Sequence, residues 1–217
     1  MTEPFLYVVL SATPTRTGAF IRRYTRNSFN HISISFDSKL EPLYSFARHF
    51  YSTPFYGGFV KESLSRYHLK GSAAHLRVFR IPVSQEQLAQ LHRHIDYMLS
   101  RQDQYLYNHL SALAVPFRKT VKTSDSYTCV EFCVEILHSI GLSVTPGKFY
   151  SLRQLVFVMC NCRSKASAVV TGGCKEIIII HSWIIRIYWF DIFGYSHFDS
   201  SSLYNITVSN SSSNSKY

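Results

Sequence analysis

Residues Ser126–Leu137 read SYTCVEFCVEIL. Thr128 and Glu131 stand at the spacing of a capping box, in which each side chain accepts a hydrogen bond from the other residue's backbone N–H. That spacing makes Thr128 the N-cap and Cys129 the first helical residue. Val130, Cys133, Val134 and Leu137 then form an apolar stripe, with Glu131, Glu135 and His138 outside it. Gly141 is the natural C-terminal stop. Cys133 lies on the stripe and reads as a small core residue, the usual fate of a free cysteine. Cys129 has two readings on this stretch alone: a core residue at the helix start, or a nucleophile held there.

A thiol is a poor nucleophile at neutral pH until a helix N-terminus and a nearby histidine favour its thiolate. The helix start supplies the first condition, and ten histidines compete for the second. Asn30–Asp37, NHISISFD, alternates His31, Ser33 and Ser35 against Ile32, Ile34 and Phe36, the period of a strand with one polar face. The small serines beside His31 leave room for a helix start to approach it. His68, His75, His92, His94, His109 and His138 fall on expected loops, strand edges or exposed helix faces and read as solvated.

Around these two segments the pattern alternates strand and helix. Phe5–Ser11 is a strand by its aromatic and β-branched content, and Thr17–Arg26 a short basic helix with Arg22, Arg23 and Arg26 on one side. Leu43–Ala47 is the antiparallel partner of the histidine strand. Ser52–Glu62, with its proline and paired glycines, reads as an ordered loop. His75–Pro82 alternates again as a strand. Ser84 and Gln87 form a second capping box, opening a helix with Leu88, Leu91, Ile95 and Leu99 in register. Tyr105–Ala114 reads as a further helical piece.

The chain has 217 residues and a net charge of +10. Five basic and three acidic residues lie beyond Met159, so eight of the ten excess charges belong to the first 159 residues. A basic domain favours anionic partners: nucleic acid, anionic lipid headgroups or acidic cell-wall polymers. The five cysteines are no disulfide framework. A zinc set of Cys160, Cys162, Cys174 and His181 would need an unusual Cys-x-Cys spacing, so no metal or cofactor is expected. The N-terminus lacks a basic n-region and reads as a first strand rather than a signal peptide. No clean span of about twenty apolar residues is present. The expected location is therefore cytoplasmic or membrane-associated.

The blocks LSATPT, FIRRYTR, NHISISFD, LEPLYSFAR, PFYGGFVKE and YTCVEFCVEIL, in this order, resemble the circularly permuted papain-like cysteine hydrolases. These belong to the NlpC-type superfamily and are akin to the lecithin retinol acyltransferase group and the YiiX-like proteins. In the permuted branch, as here, the histidine strand precedes the cysteine helix. The resemblance covers residues 5–155. It implies an α+β, papain-like fold in which an antiparallel sheet packs against the cysteine helix. It also implies a thiol enzyme, a peptidase-like amidase or an acyltransferase, working through a thioester. Cys129 matches the nucleophile and His31 the general base. The position that usually orients the imidazole falls near Ser45, where the family has His, Asn, Gln or Glu. Tyr127 matches a tyrosine that would help polarise the substrate carbonyl together with the Cys129 N–H. The implied partner is a peptide or lipid-like acyl substrate, for which the basic helix would favour an anionic form. Nucleic acid has no part in this reading, and membrane association stays open. The alternative is a non-catalytic basic module that binds anionic lipid or nucleic acid on the same fold.

The resemblance divides the chain into a catalytic domain (1–158), an apolar extension (159–198) and a Ser/Asn-rich tail (199–217) expected to be disordered. The extension has three readings: a membrane-associating segment, extra elements packed on the domain, or the product of a disrupted reading frame.

Overall fold

The computed structural model describes residues 4–13, 16–49, 56–67, 75–161, 175–182 and 184–190. In chain order the elements are β1 (Phe5–Ala12), α1 (Arg16–Thr25), β2 (His31–Ser35), β3 (Leu43–Arg48), β4 (Gly57–Glu62) and β5 (His75–Pro82). There follow α2 (Gln85–Ser100), β6 (Leu106–Tyr107), α3 (His109–Ala114), β7 (Ser126–Tyr127), α4 (Cys129–Ser139), α5 (Leu152–Cys160), β8 (Lys175–Ser182) and β9 (Ile184–Phe190). The architecture is mixed α+β. The strands form one open sheet in the order β7-β6-β4-β3-β2-β1-β5-β8-β9. Every described pairing is antiparallel except that of β6 with β7.

The period-two pattern places the core. Leu6, Val8 and Leu10 of β1, Ile32 and Ile34 of β2, Phe46 of β3 and Phe59 of β4 pack with Phe132, Val134, Ile136 and Leu137 of α4 in the main cluster. Burying side chains of this size stabilises the fold by about 1.5–3 kcal/mol each. The intervening positions lie on the opposite face. Val9, Leu43, Leu76 and Val78 form a smaller cluster there with Leu40 and Tyr67. The β2–β3 ladder is a single registered pair, Ile34 with Tyr44, so the His31 end of β2 is left unzipped from β3.

Helix ends follow local chemistry. Thr128 caps α4, and Ser84 caps α2, each through a complete capping box. At the other end of α4, Gly141 takes a φ of 87°. Its N–H bonds the His138 carbonyl at 2.9 Å, and the Leu142 N–H bonds that of Leu137 at 3.0 Å. Those two bonds are a Schellman motif, which needs a residue without a Cβ penalty in the left-handed region. Ser151 and Gln154 make a third capping box that opens α5.

Two expectations are corrected. Ser52–Glu62 is not all loop, because Gly57–Glu62 is strand β4, paired along its length with β3. The glycines serve close approach between strands. A Cβ on Gly57 would sit 2.7 Å from the Ala47 carbonyl oxygen, and one on Gly58 would meet that of Tyr105 closer still. Tyr105–Ala114 is not one helical piece. Leu106 and Tyr107 form β6, and the helix begins at His109 behind its N-cap, Asn108. Of the readings open for the apolar extension, extra elements on the domain fit residues 175–182 and 184–190, which pair antiparallel and continue the sheet beyond β5. The Ser/Asn-rich tail, Cys162 and Cys174 fall outside the described residues. Among the described residues no helix is long and apolar enough to cross a membrane.

Gly58→Ala should therefore lower stability by about 1–3 kcal/mol, the cost of overpacking a closed contact. Urea denaturation measures it, and an alanine placed at an exposed helix position, Gln90→Ala, should leave the midpoint nearly unchanged.

Candidate active site

Three segments distant in sequence meet at the start of α4. Cys129 is 8% exposed and His31 9%, so both are shielded from bulk water yet still reachable from outside. His31 is the first residue of β2, and from there its ring meets the first turn of α4. The ring hydrogen-bonds both the Cys129 side chain and the Glu62 carboxylate. Nε2 lies 3.2 Å from Glu62 Oε1. With Nε2 committed to Glu62, Nδ1 is the ring nitrogen left for the sulfur.

Glu62 ends β4 and is buried. Its carboxylate collects four partners. His31 and the Ser45 hydroxyl both meet Oε1. The Tyr67 hydroxyl donates to Oε2 at 3.3 Å, and Arg66 Nε lies 3.2 Å from the same oxygen. Arg66 also donates to the Arg48 carbonyl, which ties the turn after β4 back to β3. The strand period accounts for this convergence. Ser45 and Glu62 lie on the same face of neighbouring strands, and Glu62 reaches across β3 towards β2.

The charges follow from burial set against pairing. Burial alone would push the His31 imidazole down, since it disfavours the charged ring. Hydrogen bonds to Cys129 and Glu62, with the negative charge of each, overcome it and hold the ring up to about 10. Burial would likewise raise Glu62, but the His31 bond and charge, Arg66 and Ser45 together keep it below the ordinary carboxylate value. Cys133, one helical turn from Cys129, is fully buried. Burial and the neighbouring Cys129 charge push its thiol up, as suits a core residue.

The start of α4 is fixed from a second direction. Thr128 Oγ1 accepts from the Glu131 N–H at 3.2 Å, and Glu131 Oε2 accepts from the Thr128 N–H at 2.6 Å. The other Glu131 oxygen accepts from the Ser111 hydroxyl of α3 at 2.5 Å. Cys129 is the first helical residue, and its N–H is among the donors that a helix start leaves without an intrahelical partner.

Two of the expected roles change. Ser45 is in the cluster, but its hydroxyl donates to Glu62, and the group bonded to the imidazole is the Glu62 carboxylate. Tyr127 packs its ring against Phe46 at 5.1 Å, and its hydroxyl donates to Glu135. Burial first, then Glu135, push that hydroxyl up to about 12. Glu135 lies six residues past Cys129, about 9 Å along the helix, so the bond turns the Tyr127 hydroxyl away from the thiol. The tyrosine that senses Cys129 is Tyr107, beside Tyr127 in the β6–β7 register. Burial raises its hydroxyl most, with further contributions from negative charge on Cys129 and Glu131.

Glu62 and Tyr107 were both missed by sequence reasoning because their segments were taken for a loop and a helix. The signals were present. Phe59-Val60-Lys61-Glu62 is a short strand pattern behind the glycines, and Tyr105-Leu106-Tyr107 alternates. Among the described residues no group of three or more His, Cys, Asp or Glu could hold a metal ion. Comparison with protein-family models, with curated proteins and with solved structures found no match, so the site is argued from its own geometry.

Stability should depend on pH through this pair. The His31 contribution is complete below the ordinary imidazole value of 6.5 and is lost as pH climbs through about 10. The Glu62 contribution is complete above the ordinary carboxylate value of 4.5 and is lost as pH falls through its lower folded value. The two overlap fully between 4.5 and 6.5. Urea midpoints should therefore decline from pH 6 to pH 10, and Glu62→Gln should flatten that decline by removing the charge that holds the ring up. A separate substitution, Thr128→Ala, should cost about 0.5–2 kcal/mol through the lost cap. It should also slow iodoacetamide alkylation of Cys129 at fixed pH, because the first turn frays.

Proposed function

We propose that the chain is a cysteine hydrolase or acyltransferase that cleaves an amide or ester bond through a thioester, on a permuted papain-like arrangement. The observation that carries the reading is the imidazole of His31 bridging a helix-start thiol and a buried carboxylate. A nucleophile, a base and an orienting group in line are what covalent acyl transfer needs. The chain order of strand-borne His31 and Glu62 before helix-borne Cys129 is that of the permuted branch.

In this reading the Cys129 thiolate attacks the substrate carbonyl carbon. The Cys129 N–H, with the Tyr107 hydroxyl as a second donor, stabilises the oxyanion. The tetrahedral intermediate collapses as the C–N or C–O bond breaks, and the His31 imidazolium gives its proton to the leaving amine or alcohol. Water or another acceptor then adds to the thioester while His31 removes its proton. Release of the acyl product restores the thiolate–imidazolium pair. Glu62 touches no reacting atom. It fixes the ring with Nδ1 towards the sulfur and stabilises its positive charge throughout.

The reading is tested by alkylation and by turnover. Iodoacetamide near neutral pH should modify Cys129 well ahead of Cys133, as read by peptide mass mapping. His31→Ala should abolish that preference and slow hydrolysis of a p-nitrophenyl acyl ester by about a hundredfold or more. Equal labelling of the two cysteines, or unchanged turnover in Cys129→Ser, would overturn the proposal.

A further inference from the structure

Two helices beside the site are amphipathic in the reverse of the usual sense. A surface helix normally turns its apolar stripe inward. In α1 the inward groups are Gly18 and Arg22. Gly18 is buried, and a Cβ there would sit 2.6 Å from Thr13 Oγ1. Arg22 Nη1 donates to the Thr13 carbonyl and to Asn30 Oδ1, at 2.7 Å each. These bonds fasten the helix to the ends of β1 and β2 by its polar side. Phe20 is left 69% exposed, Ile21 38% and Tyr24 54%, with Phe20 and Tyr24 stacked on each other.

The short α3 repeats the arrangement. Its inward residue is Ser111, buried and bonded to Val121 and Glu131. Leu110, Leu113 and Phe117 project outward at 55–75% exposure. Both segments connect to the elements that carry the Cys129–His31 pair. Thr25 ends α1 six positions before His31, and Ser111 holds Glu131 in the first turn of α4.

Charge selects the occupant. Neither 13–36 nor 105–124 contains an aspartate or glutamate. Arg23 and Arg26 lie exposed next to the α1 aromatics in the chain, and Arg118 and Lys119, also exposed, follow Phe117 directly. Exposed apolar groups of this extent mark a protein or membrane contact. A second copy would press the same basic segments against each other, which like-charge repulsion opposes. A nucleic acid would satisfy the arginines and lysines but give the aliphatic side chains of Leu110 and Leu113 nothing to enter. An anionic bilayer satisfies both, taking the apolar groups below its headgroups and pairing the cations with phosphate.

We infer that α1 and the α3–Phe117 segment form a docking surface for an anionic lipid bilayer near the Cys129–His31 pair. That the bilayer supplies the acyl substrate rests on the chemistry proposed above. Docking itself does not, so it is measured on the full chain carrying Cys129→Ser. The probe is phosphatidylcholine vesicles containing about one quarter phosphatidylglycerol, with pure phosphatidylcholine vesicles as the contrast. Co-sedimentation should occur with the anionic vesicles, weaken as salt rises, and be faint with the neutral ones. Phe20→Ser/Tyr24→Ser and Leu113→Ser/Phe117→Ser should each lower the partition by about tenfold while the circular dichroism stays unchanged. Three outcomes would overturn the inference. The first is partition unaffected by either serine pair. The second is binding to RNA as tight as to the vesicles and equally indifferent to those substitutions. The third is loss of a dimer, rather than of lipid binding, in the serine variants.

Discussion

A carboxylate taken out of water must be met by charge and by hydrogen bonds, and the structure around the site is organised by that need at Glu62. Its four partners come from β2, β3 and the turn after β4. Each of those segments is thereby held to the others by something more directional than apolar packing. Such a cluster is a poor source of net stability, since apolar replacement of a buried ion pair is often neutral or stabilising. What apolar side chains could not supply is a ring of fixed orientation that stays charged inside the protein. His31 owes its charge to the company of Glu62 and Cys129, because burial alone works against it.

The cysteine is located by an independent set of contacts. Glu131 closes the capping box with one oxygen and holds Ser111 with the other, so α3 and the first turn of α4 are tied together. Asn108, the cap of α3, also bonds the Tyr127 carbonyl through its backbone N–H at 3.0 Å. Thiol and imidazole are thus presented by two separately braced halves. The apolar packing of Ile32, Ile34 and Phe46 against Phe132 and Val134 brings those halves into register.

The parts of this arrangement legible in the sequence are those written in local chemistry. The Thr128 and Ser84 caps, the Gly141 stop and the alternation of β1, β2 and β5 each depend on residues within a few positions of one another. Elements defined by what lies across the sheet were hidden. Gly57 and Gly58 look like turn residues until Ala47 and Tyr105 are seen pressing on them. Leu106 and Tyr107 have helical company in sequence but strand partners in space. The site divided along the same line. Cys129 and His31 announce themselves by position on a helix start and a polar strand face. Glu62 becomes an orienting residue only because β3 lies between it and β2, a fact of topology. Ser45 was found in the right place for the wrong contact, since the serine and the carboxylate share one strand face.

The order of the segments also governs when the reactive pair can exist. Glu62 and every group described on its carboxylate lie within the first 67 residues, whereas Cys129 follows Glu62 by nearly seventy positions. At ordinary rates of translation that gap is roughly 3–13 s. During it the growing chain carries the histidine strand without the cysteine helix. When Cys129 emerges it has neither a formed helix nor an imidazole beside it, and its thiol is that of any unfolded chain. The Cys129–His31 contact arises only as α4 docks on β2 and β3, so the chemistry proposed for that pair cannot begin before the chain has reached this helix.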